Sequence, residues 1–430
     1  MSNDLTLTAA AAAIASGDLS SERLVRNCLD RIEARDPVIR AWAFIDPELA
    51  LAQARACDKA GERLGPLHGV PIGIKDIIET CDMPTQMGSP IYDGNQTRND
   101  AACVALMRAA GAVILGKTVT VEFAGMAPPP TRNPHNPDHT PGGSSSGSAA
   151  AVADMMVPAA FGTQTAGSVH RPAAYCGIIG YKPTFDTFNI HGVRPASQSL
   201  DTLGILARSL TDVELMSAVL VGRPPVLGGS KGAAPRIGFC RTHLWDQVLP
   251  ETEQALAETI ETIEAKGAVV EPFDLPDDFS DLTHARDVIS SYERARATAW
   301  EWHYHRDQLS DPMQRTLQKG FNWDYAEYQS SMALAADARV RLAQLMDGFD
   351  ALIAPLTAGE APADLTSTGD HAFVGFWNLL HVPSFALPTH LGPNDMPVGI
   401  HLIGAHGDDA RLTQVANWIM ERVTHQHHHH

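Results

Sequence analysis

The chain has 430 residues, 44% hydrophobic and 19% charged, a composition typical of a globular protein with a sizeable core. Its formal net charge of −18, without any basic run, argues against a nucleic-acid partner because phosphate binding depends on clustered Lys and Arg. No apolar run reaches the roughly 18 residues that span a bilayer, so we expect no membrane segment.

The spacing of the cysteines and the N-terminal segment favour a cytoplasmic protein. The cysteines lack the paired spacing of zinc sites or disulfide frameworks. Residues 5–16 are apolar like part of a signal peptide, but they follow an acidic residue and are rich in alanine, which favours a surface helix. The histidines within 425–430 are typical of an expression tag.

The first strong helix signal is an amphipathic repeat over residues 24–32. Ser20 or Ser21 can cap this helix, and Pro37 predicts that the helix ends before that position. Its apolar face is expected to cover part of the core.

A strand and helix alternation follows. Residues 69–74 predict a short apolar strand with Lys75 at or near its end, and a helix over about 100–110 leads into a strand at 112–115. Residues 131–140, rich in Asn, Pro and His, predict a surface loop.

The second half of the chain continues the alternation on both sides of a Gly/Pro-rich segment at 222–235, which predicts a linker or long loop. Before it, we expect a buried helix over 149–160 and a buried strand over 176–181. After it, the expected elements are a strand at 237–240, a helix at 251–266 and strands at 268–270, 351–355 and 399–404. This pattern predicts one α/β sheet assembled from distant segments.

Two glycine-flanked serine turns carry the strongest functional signal. The first spans Gly142 to Ser148, and the second, from Gly162 to Pro172, contains Ser168. An apolar segment long enough for one buried helix separates them. Such turns bring hydroxyls and backbone N–H groups together, as attack on a carbonyl requires. The pattern predicts cleavage of an acyl bond.

Other interpretations of these segments fit their context less well. Residues 111–118 match the phosphate-loop pattern GxxxxGK[ST], but the interior residues themselves predict a strand, so Lys117 is expected to be solvated or locally paired. Gly143 to Gly147 also fits the nucleophile elbow GxSxG with Ser145 as nucleophile, but the Asn/Pro-rich segment upstream cannot form the required strand. A flexible Gly/Ser linker is unexpected between two core segments.

The sequence resembles the amidase signature hydrolases over nearly its whole length. The matching motifs occupy residues 69–76, 141–150, 162–172, 176–184, 199–202 and 397–404. The resemblance implies an α/β fold with a mixed central β-sheet surrounded by helices, in a single large domain over 1–424. Its expected parts are N-terminal helices at 1–65, a signature core at 66–221, a peripheral insertion at 222–350 and a return to the sheet at 351–424.

The resemblance also implies a catalytic triad, with Ser168 as nucleophile, Ser144 as the bridging serine after a cis peptide, and Lys75 as base. It implies an oxyanion hole built from the backbone N–H groups of Thr165, Ala166, Gly167 and Ser168. A lysine accepts a proton only when neutral, so burial must depress its pKa from the usual value of about 10.4. This chemistry requires no metal and no organic cofactor.

The chain departs from the usual family pattern around the nucleophile. The family has Asp where this chain has Gln164 and Gly where it has Ala166, and it places Arg where His170 stands, with Arg171 one residue later. This arrangement resembles malonamidase-like members, in which the shifted arginine binds a substrate carboxylate. The expected substrate-binding residues are Gly143, Gln164, His170 and Arg171. Alternatively, Arg171 pairs with a nearby acid and holds the turn.

We therefore predict an amidohydrolase that cleaves a C–N bond of a small amide or carbamate through an acyl-enzyme. Urethane or ester cleavage is an alternative, as is a glutaminase subunit of an amidotransferase complex that passes ammonia to a transfer RNA. A third alternative is a non-catalytic binding protein of this fold. We also expect a homodimer.

The substrate pocket is expected in the loops around 125–140 and 300–330. Aromatic residues cluster in the second: Trp300, Trp302, Tyr304, Phe321, Trp323 and Tyr325. They line an aromatic pocket or pack helices against the core, and the sequence leaves both open. His303 and His305 would point to different faces of a helix, so metal binding is not expected there.

Overall fold

The computed structural model describes residues 3–227 and 232–423, and eleven β-strands form its centre. Strands β1 to β11 span Trp42–Ile45, Pro71–Lys75, Val113–Thr118, Ala159–Gln164, Ile179–Lys182, Thr202–Ala207, Arg236–Phe239, Val269–Pro272, Ala351–Pro355, Ser384–Leu391 and Pro397–Ile403. They form one sheet in the order β1-β3-β2-β4-β6-β5-β10-β11-β9-β7-β8.

Helices surround this sheet. Helices α1 to α14 span Leu7–Ser16, Ser21–Ile39, Pro47–Lys59, Ala102–Ala109, Ser146–Ala153, His170–Cys176, Leu210–Val221, Pro250–Ala265, Leu282–Ala297, Ala299–Tyr304, Asp311–Asn322, Tyr325–Leu345, Ala372–Leu379 and Asp409–Val423. The sheet contains parallel and antiparallel pairs, so the predicted α/β fold with a mixed central sheet is confirmed. Within the described residues, no helix is both long and apolar enough to cross a membrane.

The strands nearest the serine turns are neighbours in the sheet. β2 pairs in parallel with β3 and with β4, and β4 pairs antiparallel with β6. All residues of these four strands are buried. Lys75 is the last residue of β2 and Gln164 the last residue of β4. Because parallel strands end at the same edge of a sheet, both side chains are delivered to one region.

The predicted end of the first amphipathic helix before Pro37 is wrong. Ser20 caps α2 through a 3.2 Å bond from the Arg23 N–H, as expected, but the helix continues to Ile39. Pro37 lies in the last turn, where its missing N–H removes a single helical bond, and the fully buried Ile39 holds that turn against the core.

The predicted buried helix over 149–160 is also corrected. The helix α5 begins earlier, at Ser146, and ends at Ala153, and the strand β4 takes the remaining apolar residues from Ala159. Met155 adopts a positive φ of 56°, which no continuing α-helix permits. An apolar run without clear periodicity concealed this change from helix to strand.

Two smaller differences concern predicted boundaries. Cys176 closes α6 and does not open a strand, because Gly177 takes the left-handed conformation at φ 68° that ends the helix, and β5 begins at Ile179. Within the predicted loop at 222–235, residues 228–231 lie outside the described residues, as does the predicted tag at 425–430.

Candidate active site

Lys75 is fully buried, with its amine among hydroxyl groups. Its Nζ lies 2.8 Å from the Ser144 Oγ and 2.8 Å from the Thr163 Oγ1. Burial is the main cause that lowers the pKa of Lys75 well below its usual value, and the Arg294 charge lowers it further, while the Asp201 carboxylate acts against both. A neutral lysine at this position can accept a proton from Ser144.

Ser144 is fully buried and follows a cis Gly143–Ser144 peptide bond. The next residue, Ser145, is also fully buried, and its hydroxyl bonds to the backbone of Thr163, with both the N–H and the carbonyl at 3.3 Å. The nucleophile elbow required an exposed Ser145 at a strand-to-helix turn. No strand lies between residues 119 and 145, so none leads directly into this serine and the structure does not support that alternative.

Ser168 lies in the turn between β4 and α6 and is partly exposed to a cavity. Its carbonyl accepts a 3.3 Å bond from the Ser145 N–H, which joins the two serine turns. The backbone N–H groups of Thr165, Ala166, Gly167 and Ser168 donate no hydrogen bond that the described residues accept. Free N–H groups in a turn beside a hydroxyl suit the stabilisation of an oxyanion.

Gln164 and His170 hold this turn from behind. The Gln164 Oε1 accepts the N–H groups of Val169 and His170 at 2.9 and 3.1 Å, and its Nε2 lies 3.0 Å from the His170 Nδ1. The His170 Nε2 lies 3.1 Å from the Ser384 carbonyl, and burial lowers the pKa of His170 to about 3. These contacts require a neutral imidazole that accepts at Nδ1 and donates at Nε2.

Neither of these two side chains lines the cavity beside Ser168, although both were predicted to bind substrate. Gly143, from the same predicted set, is also absent from the lining, and its carbonyl accepts a 2.6 Å bond from Arg171. These contacts support a role for Gly143, Gln164 and His170 in shaping the turn. Direct contact of these residues with substrate stays a prediction, and these contacts do not support it.

Arg171 does line the cavity, but its guanidinium is largely occupied by the protein. It donates to the carbonyls of Gly143 and Gly369 at 2.6 Å each and to the Thr368 Oγ1 at 3.0 Å. Burial lowers its pKa to about 10. Among residues 3–227 and 232–423 it makes no salt bridge, so the predicted pairing with an acid is wrong and backbone carbonyls hold the arginine in its place.

The cavity beside Ser168 has a volume of about 240 Å³ and a cationic wall. Four cationic side chains line it, with one carboxylate: Arg171, Arg286, Arg294, Lys319 and Asp287. Asp287 forms an ion pair with Lys319. On a chain with a formal net charge of −18, this wall favours an anionic ligand.

His371 lies in the same cavity, directly before α13. Burial, followed by the charges of Arg286, Arg171 and Arg294, lowers the pKa of His371 well below its usual value. This histidine is therefore neutral at physiological pH and can donate or accept a hydrogen bond without adding charge.

Lys117, from the phosphate-loop match, is buried and paired locally. It lies in β3, 3.2 Å from the Asp76 carboxylate and 2.7 Å from the Thr85 Oγ1. The pattern residues form the strand that was expected, so the segment has no phosphate-binding loop. The expectation that Lys117 is locally paired is confirmed.

Of the two interpretations of the aromatic cluster, the structure favours helix packing over a lining of the cavity beside Ser168. None of the six aromatic residues between 300 and 325 lines the cavity. Trp302 packs on Phe321 with ring centroids 5.5 Å apart, whereas Trp300 and Tyr304 are 51% and 73% exposed. From the two predicted loops, the cavity takes Gly125, Met126, Thr316 and Lys319. Helix packing therefore accounts for the enclosed part of this aromatic cluster.

Comparison with known proteins identifies the family. The Amidase family model matches residues 23–413, and the chain therefore belongs to the Amidase family and is a hydrolase of C–N bonds. A crystal structure of an amidase superposes with a TM-score of 0.90 at 28% identity, over 97% of this chain and 100% of the other. The peptide amidase of Stenotrophomonas maltophilia superposes with a TM-score of 0.86 at 27% identity, over 98% of each chain.

Sequence relatives include subunits of glutamyl-tRNA(Gln) amidotransferase. One such subunit, from Chloroflexus aurantiacus, is 33% identical over 98% of this chain and 97% of its own length. The corresponding protein from Thermobifida fusca, which has the same name, is 41% identical over 63% of this chain and 59% of its own length.

Several residues of the site carried no signal in the sequence. Thr163, which contacts the Lys75 amine, was noted only as part of a motif. Arg286 and Arg294 lie on α9, in the segment expected to be peripheral, and reach the site only through the fold. A polar residue on an amphipathic helix is ordinarily solvated, so nothing in the pattern distinguished them.

Proposed function

We propose that this amidase hydrolyses a small amide by acyl transfer to Ser168, with Lys75 as base and Ser144 as the relay between them. The observation that carries the proposal is the fully buried Lys75 amine, 2.8 Å from the Ser144 hydroxyl. A cation in that position would lose its hydration without an ion-pair partner at bonding distance, so the neutral form is favoured.

The reaction would proceed in two stages. As Ser168 attacks the amide carbonyl, its proton passes to Ser144, whose own proton passes to Lys75. The backbone N–H groups from Thr165 to Ser168 would stabilise the oxyanion. The proton then returns through Ser144 to the leaving nitrogen, which departs as an amine and leaves the acyl-enzyme. Water repeats these steps and releases the acid.

The same steps would cleave a carbamate or an ester, so urethane or ester hydrolysis stays the alternative within this chemistry. A glutaminase role within an amidotransferase is supported by the relatives of that name. The cavity lining weighs against it, because the α-ammonium of glutamine would meet four cationic side chains and a carboxylate that Lys319 already occupies. A cytoplasmic location and a homodimer stay predictions.

The test is a hydrolysis panel of small aliphatic amides, anilides, aryl carbamates and glutamine with three variants. We expect Ser168→Ala to abolish turnover, Lys75→Ala to remove most of it and Ser144→Ala to lower it by several orders of magnitude with the fold intact. Ser145→Ala is the matched serine substitution in the neighbouring position and should retain turnover. Hydrolysis by Ser168→Ala at the wild-type rate would overturn the assignment.

A further inference from the structure

The arginines that line the active-site cavity differ in what they bind. Arg171 donates to two carbonyls and a hydroxyl, and Arg294 donates to the carbonyls of Phe123 and Ala124 at 2.7 and 3.3 Å. Both guanidinium groups are thereby fixed to the protein, and the donors used in these bonds are not available to a ligand.

Arg286 has no comparable partner. Within residues 3–227 and 232–423, its guanidinium makes no hydrogen bond and no ion pair, although it lines the cavity. The side chain is partly buried against α13, where a Cβ placed on Gly375 would lie 3.4 Å from the Arg286 Nε and 3.6 Å from the His371 Cδ2. The Arg286 side chain therefore lies beside Gly375 and the neutral His371.

Among the described residues, no carboxylate forms an ion pair with Arg286, although Asp287 and Asp370 attract its charge. Asp287 pairs with Lys319, and the exposed Asp370 accepts a 2.9 Å bond from the Ala372 N–H and lies beyond ion-pair distance. The side chain lines the cavity and its donors have no acceptor among the described residues, so an anionic ligand with two acceptor oxygens would satisfy this planar fork of donors.

We propose that Arg286 binds a carboxylate of the substrate, so that this amidase acts on small amides that carry a free carboxylate. The proposal rests on the proposed function, because it names the substrate class of the Ser168 site. A cavity of about 240 Å³ suits a metabolite-sized molecule. Arg286 is then a specificity-determining residue, and Arg171 shapes the turn.

The first measurement compares kcat/KM for succinamate and for butyramide, its neutral analogue, in the wild-type enzyme and in Arg286→Gln. We expect the wild type to prefer succinamate and the variant to lose about 10- to 150-fold on succinamate, the range for a hydrogen bond to a charged group, with little change on butyramide. Equal losses on both amides would overturn the proposal.

Arg315→Gln is the matched control. Arg315 is exposed on α11, lies outside the cavity lining and has no hydrogen bond or ion pair in the described part of the chain. This substitution removes the same charge and should leave the preference for succinamate intact. If this control also loses the preference for succinamate, the preference is due to the electrostatic field of the whole protein, and the result counts against a contact with Arg286.

A second pair of substrates locates the carboxylate. N-acetylglycine carries it on the amine side, and N-isobutylacetamide is its neutral analogue. A preference for succinamate alone assigns the Arg286 contact to the acyl part, and a preference for N-acetylglycine alone assigns it to the amine part. Both outcomes support the proposal, and the absence of both preferences contradicts it.

Binding without turnover separates this proposal from the proposed function. Succinate is titrated calorimetrically into Ser168→Ala protein with and without Arg286→Gln. Weaker binding by at least tenfold in the double variant supports the carboxylate site even if no amide is hydrolysed. Equal affinities of the two proteins would overturn the Arg286 assignment while leaving the Ser168 mechanism unaffected.

Discussion

Replacement of Gln164 by leucine should disable the turn that carries Ser168. The Gln164 amide serves three buried groups, the N–H of Val169, the N–H of His170 and the His170 Nδ1, and leucine can bond to none of them. A buried polar group left unpaired costs about 1–3 kcal/mol, so the loss in the free energy of unfolding should be roughly 3 kcal/mol or more.

The melting temperature gives the first readout. The entropy of unfolding is about 2.1 cal/mol/K per residue, so for a chain of 430 residues a loss of 3 kcal/mol lowers Tm by about 3 °C. Turnover should fall further, by about 100-fold, because a displacement of the nucleophile of about 1 Å has an effect of that size. Calorimetry and steady-state kinetics measure the two effects on the same sample.

Two further variants define the result. Gln164→Glu keeps an acceptor for both backbone N–H groups and should lose less activity than leucine. Gln254→Leu makes the same change at an exposed position on α8 and should shift Tm by less than about 1 °C. If Gln164→Leu melts and turns over like the wild type, the inference that this amide holds the turn is wrong.

Three other predictions concern protonation and buried charge. The kcat/KM should rise with pH to a plateau set by Lys75, because burial lowers the pKa of this lysine well below 10.5 and the proposed base is its neutral form. A kcat/KM that falls over the same pH range would contradict this prediction. Stability should decrease as the pH falls from 6.5 towards 3, because the pKa of His170 is near 6.5 in the unfolded state and about 3 in the folded state, so the unfolded state binds more protons in that window. Urea unfolding should show that this residue lowers the free energy of unfolding by about 2 kcal/mol between pH 7 and pH 5. The variant His170→Asn should show a smaller loss over the same range. Lys117→Met leaves the Asp76 carboxylate buried without its partner and should cost about 3–5 kcal/mol in urea unfolding, whereas a loss below 1 kcal/mol would show that the pair is not needed.

The strands β2 and β3 were predictable because each is short, apolar and bounded by glycine or proline. The pattern over residues 69–74 predicted β2 and the position of Lys75. The pattern over residues 111–118 predicted β3, although these residues also match a phosphate-loop pattern. The strands β1, β4, β6 and β10 were missed. β6 begins at the end of the motif at 199–202, and its residues Leu203, Gly204 and Ile205 show no alternation because the strand is buried on both faces.

The site was predictable only in its local part. Ser144 and Ser168 lie in glycine-flanked turns whose spacing implies proximity, and the resemblance to the amidase family supplied Lys75. The cationic lining depends on long-range contacts between α9, α11, α13 and the nucleophile turn, which no local pattern encodes. Substrate contact by Gln164 was expected because the sequence did not show that its partner His170 is buried, and the hydrogen bonds of Gln164 support a role in holding the turn.

The proposed catalytic groups and the cationic side chains of the cavity come from different stretches of the chain. Lys75, Ser144 and Ser168 are carried by central strands and the turns beside them, whereas Arg286 and Lys319 project from outer helices. Substitutions in those helices can therefore change which amide is accepted while the acyl-transfer groups stay in register with the sheet. For directed evolution, α9, α11 and the start of α13 are the segments to randomise, and the strands beneath them are the scaffold to keep.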